Sequence, residues 1–296
     1  MSLFVERMFN GLAEGSIIAL LALALVVIFR STGQLNFAQG EIGMFSAFFA
    51  STLTLSGWPT VPAIGAAMVL GFVISATIER VVVRPIEARN PGAVIVALIG
   101  LFLGINNLAA MIWGVDARSL PSPFPDDADD FVRILGAPIR IARLGTIGVL
   151  IVVVVLLYLL FNKTKIGLAM RVVANDPNSS RLVGIRVGRI LVLGWGLAGA
   201  IGVLSACLLA PSAGLTGTLM LGPFLLASVA AVLGGLDSLA GAVVGGLLIG
   251  LTEALIVGYV GFLGADMLFP VMLVLLLGIL IFRPAGLFGS ERVERV

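Results

Sequence analysis

Apolar runs separated by short polar breaks recur along nearly the whole chain, near 11–30, 42–57, 61–79, 93–114, 144–162, 190–210, 223–236, 239–258 and 265–282. A helix needs about 20 apolar residues to cross the hydrocarbon of a bilayer. The pattern therefore predicts an all-α fold, a polytopic transmembrane helical bundle with about 8–9 spans, the 223–236 run being short for a crossing. Two breaks differ from ordinary loops. The first, 31–43, sets Gln34, Asn36, Gln39 and Glu41 among Gly33, Gly40 and Gly43. The second, 211–223, carries Pro211, Gly214, Gly217, Gly222 and Pro223. Polar groups in or beside lipid are costly unless they find partners or line a cavity. Glycine lets the backbone open where such groups are needed. Both stretches thus predict broken or re-entrant elements, with a membrane-surface loop as the alternative for the first. One lies in each half of the chain, as in transporters built around discontinuous helices.

Composition sharpens the class. Hydrophobic residues make up 59% of the 296 positions and charged residues 11%, against about a quarter charged in soluble domains. The even spread of apolar runs makes 1–296 one transmembrane domain. A net charge of +2 gives no ground for a nucleic-acid partner. Cys207 is the single cysteine, so an internal disulfide and a cysteine-rich metal site are excluded. Near the N-terminus Glu6 and Arg7 cancel and no small-residue cleavage site precedes the next spans, so the Ile17–Phe29 run reads as a retained helix.

Loop charges orient the chain, because short cytoplasmic loops carry the excess of Lys and Arg. The 163–189 loop holds Lys163, Lys165, Arg171, Arg181, Arg186 and Arg189 against Asp176, and the 80–89 loop holds Arg80, Arg84 and Arg89. Both are expected inside. The 115–143 loop between them carries Asp116, Asp126, Asp127, Asp129 and Asp130 and is expected outside. Trp58 and Trp113 fall at the outer ends of their spans, where aromatic rings favour the interface. Nine crossings with the N-terminus outside satisfy every loop.

Within the spans, Gly241, Gly245, Gly246 and Gly250 form small-xxx-small pairs that let helix backbones approach closely. Ala254 extends the ridge and Glu253 lies beside it. The ridge packs either inside the chain or against a second subunit. For a solute path the candidates are Asn36, Gln39 and Glu41, with Gly40 between them and Phe37 as an apolar wall. Side-chain amides serve either end of a zwitterion, since they both donate and accept. Asn106 and Asn107, midway along 93–114, line the same path or bond helix to helix.

No phosphate-binding G-x-x-x-x-G-K-[ST] loop, Rossmann fingerprint or metal-ligand spacing occurs. Active transport would draw its energy from another chain or from an ion gradient. For the latter the internal charges are sparse: Glu14, Glu41, Asp237, Glu253 and Asp266. In the 163–189 loop, Asp176 and Pro177 are suited to the N-cap and first position of a short helix over Pro177–Val183. Gly184 would end it in a left-handed conformation. Leu182, Val183 and Ile185 then form an apolar cluster among arginines, which suits a partner's groove. A positive loop resting on lipid headgroups is the alternative.

Several stretches resemble one family in order along the chain. They are NGL at Asn10–Leu12, Gly15-Ser16, Ala19-Leu20, LNFAQGEIGMFSAF at Leu35–Phe48 and Arg84-Pro85. Gly234-Gly235, GGLLIGLTEAL at Gly245–Leu255 and RPAGLFG at Arg283–Gly289 continue the series. The chain resembles the permease subunits of branched-chain amino-acid ABC importers. It departs at Gln39, where those permeases usually carry histidine, and it contains no histidine at all.

The resemblance implies a non-enzymatic permease of a bacterial inner membrane. It would translocate branched-chain or related hydrophobic amino acids by alternating access. It implies a second homologous permease subunit, two cytoplasmic ATPase subunits, an extracytoplasmic amino-acid-binding protein and membrane lipid as partners. ATP is then bound by those partners, with no cofactor in this chain. The order Gly167, Arg171, Ala174, Gly184, Ile185 resembles the family's cytoplasmic coupling loop, and the acidic outer loop becomes a docking surface for the binding protein. Import of amides or urea within the family remains open. So, from the residues alone, does a stand-alone channel or ion-coupled carrier. A membrane enzyme is disfavoured, since no His, Cys or carboxylate pair has catalytic spacing.

Overall fold

The computed structural model describes residues 2–127, 129–259, 268–283 and 285–289. Asp266, Pro284 and the tail beyond 289 lie outside them. Helices dominate: α1 (Ser2–Thr32), α2 (Gln39–Leu55), α3 (Thr60–Ile78), α4 (Arg84–Glu87), α5 (Ala93–Trp113) and α6 (Ile141–Lys163). After them come α7 (Lys165–Asn175), α8 (Pro177–Leu182), α9 (Val187–Ala213), α10 (Leu221–Gly234), α11 (Leu239–Tyr259) and α12 (Leu268–Phe282). Among the described residues, six helices are long and apolar enough to cross a membrane; α10 and the α12 region are shorter apolar helices. The protein is an all-α polytopic membrane protein.

Both breaks are narrower than the sequence suggests. The first covers 33–38, because α2 already begins at Gln39. Gly33, at φ +71°, is where α1 turns off, a backbone conformation open to glycine at little cost. Gln39, Gly40, Glu41 and Gly43 therefore occupy the first turns of a helix instead of an unwound segment. The second break covers 214–220: α9 runs through Pro211, and the chain leaves it at Gly214, at φ +76°.

The 115–143 loop contains a small antiparallel hairpin, β1 (Phe131–Ile134) and β2 (Ala137–Arg140). Leu135 and Gly136 both have positive φ at its turn, matching the right-handed twist of the strands. The 163–189 segment also holds more helix than foreseen. Thr164 caps α7 by accepting from the Gly167 N–H at 3.0 Å.

The chain divides into two compact units. One comprises Met1–Val26, Phe124–Leu150 and Pro223–Val296. Its helices meet through glycine. A Cβ on Gly250 would overlap the backbone of Gly15, one on Gly246 that of Ala19, one on Gly245 the Ala230 carbonyl and one on Gly241 that of Gly234. α11 thus lies backbone to backbone with α1 and with α10. In lipid such contact replaces the hydrophobic drive that works in water. The last carbonyls of α10 are capped from a distance, as the N–H groups of Leu287 and Phe288 donate to Leu233 O and Gly234 O at 2.8 and 3.0 Å.

The other unit comprises Val27–Pro123 and Ile151–Gly222. Here α2, α3 and α9 pack on one another, with α5 against α2. α2 is buried nearly all round, as a helix surrounded by other helices must be. Close approach again follows small residues, Gly43 facing Gly202 and Gly71 facing Gly199. α3 runs into α4 through a π-helical turn, Glu79–Val83. Its wider pitch sets Glu79 and Arg84, five residues apart, on one face. Their carboxylate–guanidinium bonds measure 2.6 and 3.0 Å, and Arg84 Nη2 also donates to Gly188 O at 2.5 Å, tying α4 to the start of α9.

Candidate functional site

The first break is built around side-chain amides. Asn36 Oδ1 accepts from the Ala38 N–H at 3.1 Å, folding the chain tightly before α2, a local bond typical of Asn at turns. Its Nδ2 donates to Gln39 Oε1 at 3.2 Å. Gln39 Nε2 in turn donates to Ala198 O of α9 at 2.8 Å. Asn36 and Gln39 are both fully buried, as is Gly40, while Phe37 is half-buried. The amides satisfy one another and a main-chain carbonyl.

Two residues after Gln39, the Glu41 carboxylate, 2% exposed, accepts from Asn106 Nδ2 of α5 at 2.9 Å. The same Nδ2 donates to Gly217 O at 2.7 Å. A single amide thus joins the start of α2 to the second break, using both of its N–H donors. Asn107 takes no part; it donates to Leu103 O within its own helix. The second break and α2 are each tied to the 115–120 segment. Arg118 and Leu215 exchange backbone bonds of 2.9 and 3.0 Å, and Ser51 Oγ donates to Ser119 O at 2.8 Å. Trp113 stacks on Phe48 at 5.3 Å, meets Phe45 edge-on at 4.9 Å and donates its indole N–H to Thr52 Oγ1. Loops expected on the same outer side are therefore in contact in the structure.

The 163–189 segment belongs to the same unit. Asp176 caps α8 by accepting from the Ser179 N–H at 3.2 Å. α8 ends at Leu182, one residue earlier than Pro177–Val183 implies, and Gly184 follows at φ +82°. Leu182 is 88% exposed and Val183 73%, so both apolar side chains project from the protein. Gly167 is buried, with no room for a Cβ against the Leu160 and Phe161 backbone. Ala174 and the exposed Arg171 border a small hollow with Arg30, whose guanidinium lies 5.5 Å from the Phe161 ring centre. Ile185 belongs to a larger groove at the start of α9.

The structure therefore brings Asn36 and Gln39 together, with Glu41 two residues on bonded to Asn106 instead; Ala174 and Ile185 border separate hollows. Glu253 lies in the other unit, partly buried on α11. Ala198 O and Gly217 O are site groups that side-chain patterns could not mark, since both are main-chain carbonyls. Asn106 was visible as a polar residue within an apolar span. Among the described residues, no group of three His, Cys, Asp or Glu side chains is placed to hold a metal ion.

The model of a family described as branched-chain amino acid transport system, permease component, matches residues 7–282. The chain is 30% identical over 310 residues to the high-affinity branched-chain amino acid transport system permease protein BraD of Pseudomonas aeruginosa. That alignment covers 99% of this chain and 98% of the relative. It is 30% identical to LivH, of the same description, from Salmonella typhimurium, and 29% identical to LivH of Escherichia coli, with the same coverage in both. No solved structure matches the chain.

Proposed function

The chain belongs to the branched-chain amino acid transport permease family, and from that premise we propose that it is the membrane-spanning subunit of a binding-protein-dependent ABC importer. It moves branched-chain or related hydrophobic amino acids across a bacterial inner membrane by alternating access. ATP is bound and hydrolysed by separate subunits. The carrying observation is a family match that runs from residue 7 to residue 282, leaving little of the chain for another activity. The two compact units work as one permease domain, with nine helices crossing, α10 and α12 among them. A second permease subunit completes the path, and an extracytoplasmic binding protein delivers the solute to the acidic outer loop.

In this reading Asn36, Phe37, Gln39, Gly40 and Glu41 border the path, because the buried amides form the hinge between α1 and α2. α7 and α8 meet the ATPase, with Leu182 and Val183 entering its surface, since exposed apolar side chains on a short charged segment favour a protein groove. Gly241, Gly245, Gly246 and Gly250 hold α11 in place.

Proteoliposomes containing the chain with its ATPase and permease partners test the reading. Labelled leucine, isoleucine and valine should enter only with binding protein and ATP. Entry of leucine without either would make the chain a channel or ion-coupled carrier. Entry of urea or amides in preference to leucine would shift the substrate class while leaving the transport role.

A further inference from the structure

At the start of α9 the second unit carries a groove of about 680 Å³. Five arginines line it, Arg80, Arg84, Arg181, Arg186 and Arg189, together with Ile185, Val187, Gly188, Val192 and Leu193. No acid is among the lining residues. Glu79 answers Arg84 and acts on Arg80 through space. The side chains of Arg181, Arg186 and Arg189 are exposed and make no ion pair or hydrogen bond among the described residues. The cationic end therefore has charge left over.

Position gives this charge a meaning. Arg80 and Arg84 stand at the end of the Thr60–Glu87 apolar helix, and Arg186–Leu193 at the beginning of α9, both long enough to span. Loop charges put these two ends on the cytoplasmic side. The groove thus sits where headgroups meet hydrocarbon. Its cations lie at the helix ends, and its apolar wall, Val192 and Leu193, continues one to two turns along α9 toward the membrane interior. Val81, 64% exposed on the π turn, adds a further apolar surface next to Arg80.

We propose that this groove binds an anionic phospholipid of the cytoplasmic leaflet, its phosphate among Arg80, Arg186 and Arg189 and an acyl chain along Val192 and Leu193. Guanidinium groups recognise phosphate oxygens in a bidentate manner, and basic pockets between spanning helices suit anionic headgroups. An acidic side chain of a partner protein would use the arginines but leave the apolar wall unexplained. Because Arg181 lies in α8 and Ile185 just beyond it, the bound lipid would brace that helix against α3 and α9. The inference needs the membrane orientation but not the amino-acid substrate.

The test uses the full chain purified in mild detergent, incubated with phosphatidylglycerol or phosphatidylcholine and examined by native mass spectrometry. One phosphatidylglycerol per chain should be retained, with phosphatidylcholine washing off. Arg186→Gln with Arg189→Gln should weaken retention by roughly 30-fold, about fivefold for each charge lost. Arg89→Gln, on the same side but outside the groove, should leave it unchanged. Millimolar inorganic phosphate should not displace the lipid, because the acyl contact is missing. Equal losses for Arg89→Gln and the double variant would reduce the effect to general surface charge and overturn the proposal. Displacement by inorganic phosphate would overturn it in favour of a soluble anion. If no phosphatidylglycerol is retained the proposal is wrong, and loss of the ATPase subunits from the assembled complex of the double variant would then make the groove a protein contact.

Discussion

Replacing Asn106 by leucine removes two donors at once and leaves two acceptors facing it. The bond to the Glu41 carboxylate, 2.9 Å long and almost shielded from solvent, belongs to the class worth about 1.5–3 kcal/mol, and the bond to Gly217 O to the class worth about 0.5–1.5. Polar groups in membrane proteins find substitute partners in the unfolded state, which trims such values to around 1 kcal/mol or less per bond. A loss of about 1–2 kcal/mol is expected, a factor of roughly 5 to 30 in the folded population. Asn106→Asp should be worse despite its shape. It turns a donor into an acceptor and sets two carboxylates about 3 Å apart, a repulsion of roughly 5 kcal/mol at an effective dielectric constant of 20. Asn106→Asp combined with Glu41→Gln exchanges donor and acceptor, so it should recover the α2–α5 bond while Gly217 O stays unpaired. Thermal unfolding of the purified complex and leucine uptake are the measurements. An Asn106→Asp protein as stable as the parent, or a double variant no better than the single one, would refute the idea that this amide clamps the start of α2 to the second break.

Leu182→Asp with Val183→Asp should abolish co-purification of the ATPase subunits, since an unpaired carboxylate buried in a groove costs several kcal/mol; Arg181→Ala should cost about 1 kcal/mol or less. In a background without Cys207, Ser179→Cys should react with an impermeant thiol reagent only from the cytoplasm and Ser122→Cys only from outside. Labelling of Ser179→Cys from outside would invert the orientation. Gly250→Leu should prevent α11 from seating on α1 and cost about 3 kcal/mol or more, because its side chain meets the Gly15 backbone directly; Gly100→Leu, with open space at its Cβ, should be tolerated in the same melting assay.

The helices were legible because long apolar runs admit no other structure in lipid. The α8 cap was legible because Asp176, Pro177 and Gly184 each favour one backbone state. The edges of the breaks were not. Asn36 folds the chain back locally, so helix resumes at Gln39, several residues before glycine content suggests. Pro211 stays inside α9, close enough to the end that the helix lacks few bonds. The Glu79–Arg84 pair escaped notice because helix periodicity pairs i with i+3 or i+4, and only a π turn aligns i with i+5. The convergence of α2 and the second break on Asn106 depends on a main-chain carbonyl, which carries no residue signature.

The Asn36–Gln39–Ala198 chain of bonds is made wholly of amides and a carbonyl, so no proton enters or leaves it at any physiological pH. Histidine at residue 39, usual in the permeases this chain resembles, would titrate near pH 6.5. Once protonated, it would offer two donors and no acceptor to Asn36 Nδ2. With glutamine the same contact keeps one donor toward α9 and one acceptor toward Asn36 throughout. Three hydrogen bonds at about 1 kcal/mol net each hold the break shut, a total near 3 kcal/mol. That sum keeps the opened form below about 1% at rest. It is also small beside the roughly 8 kcal/mol carried by micromolar binding. A partner or solute that prefers the opened form by a modest fraction of its binding energy can therefore drive the change. On the proposed reading, the join between α1 and α2 is thus stable enough to close and weak enough to be opened from outside the chain.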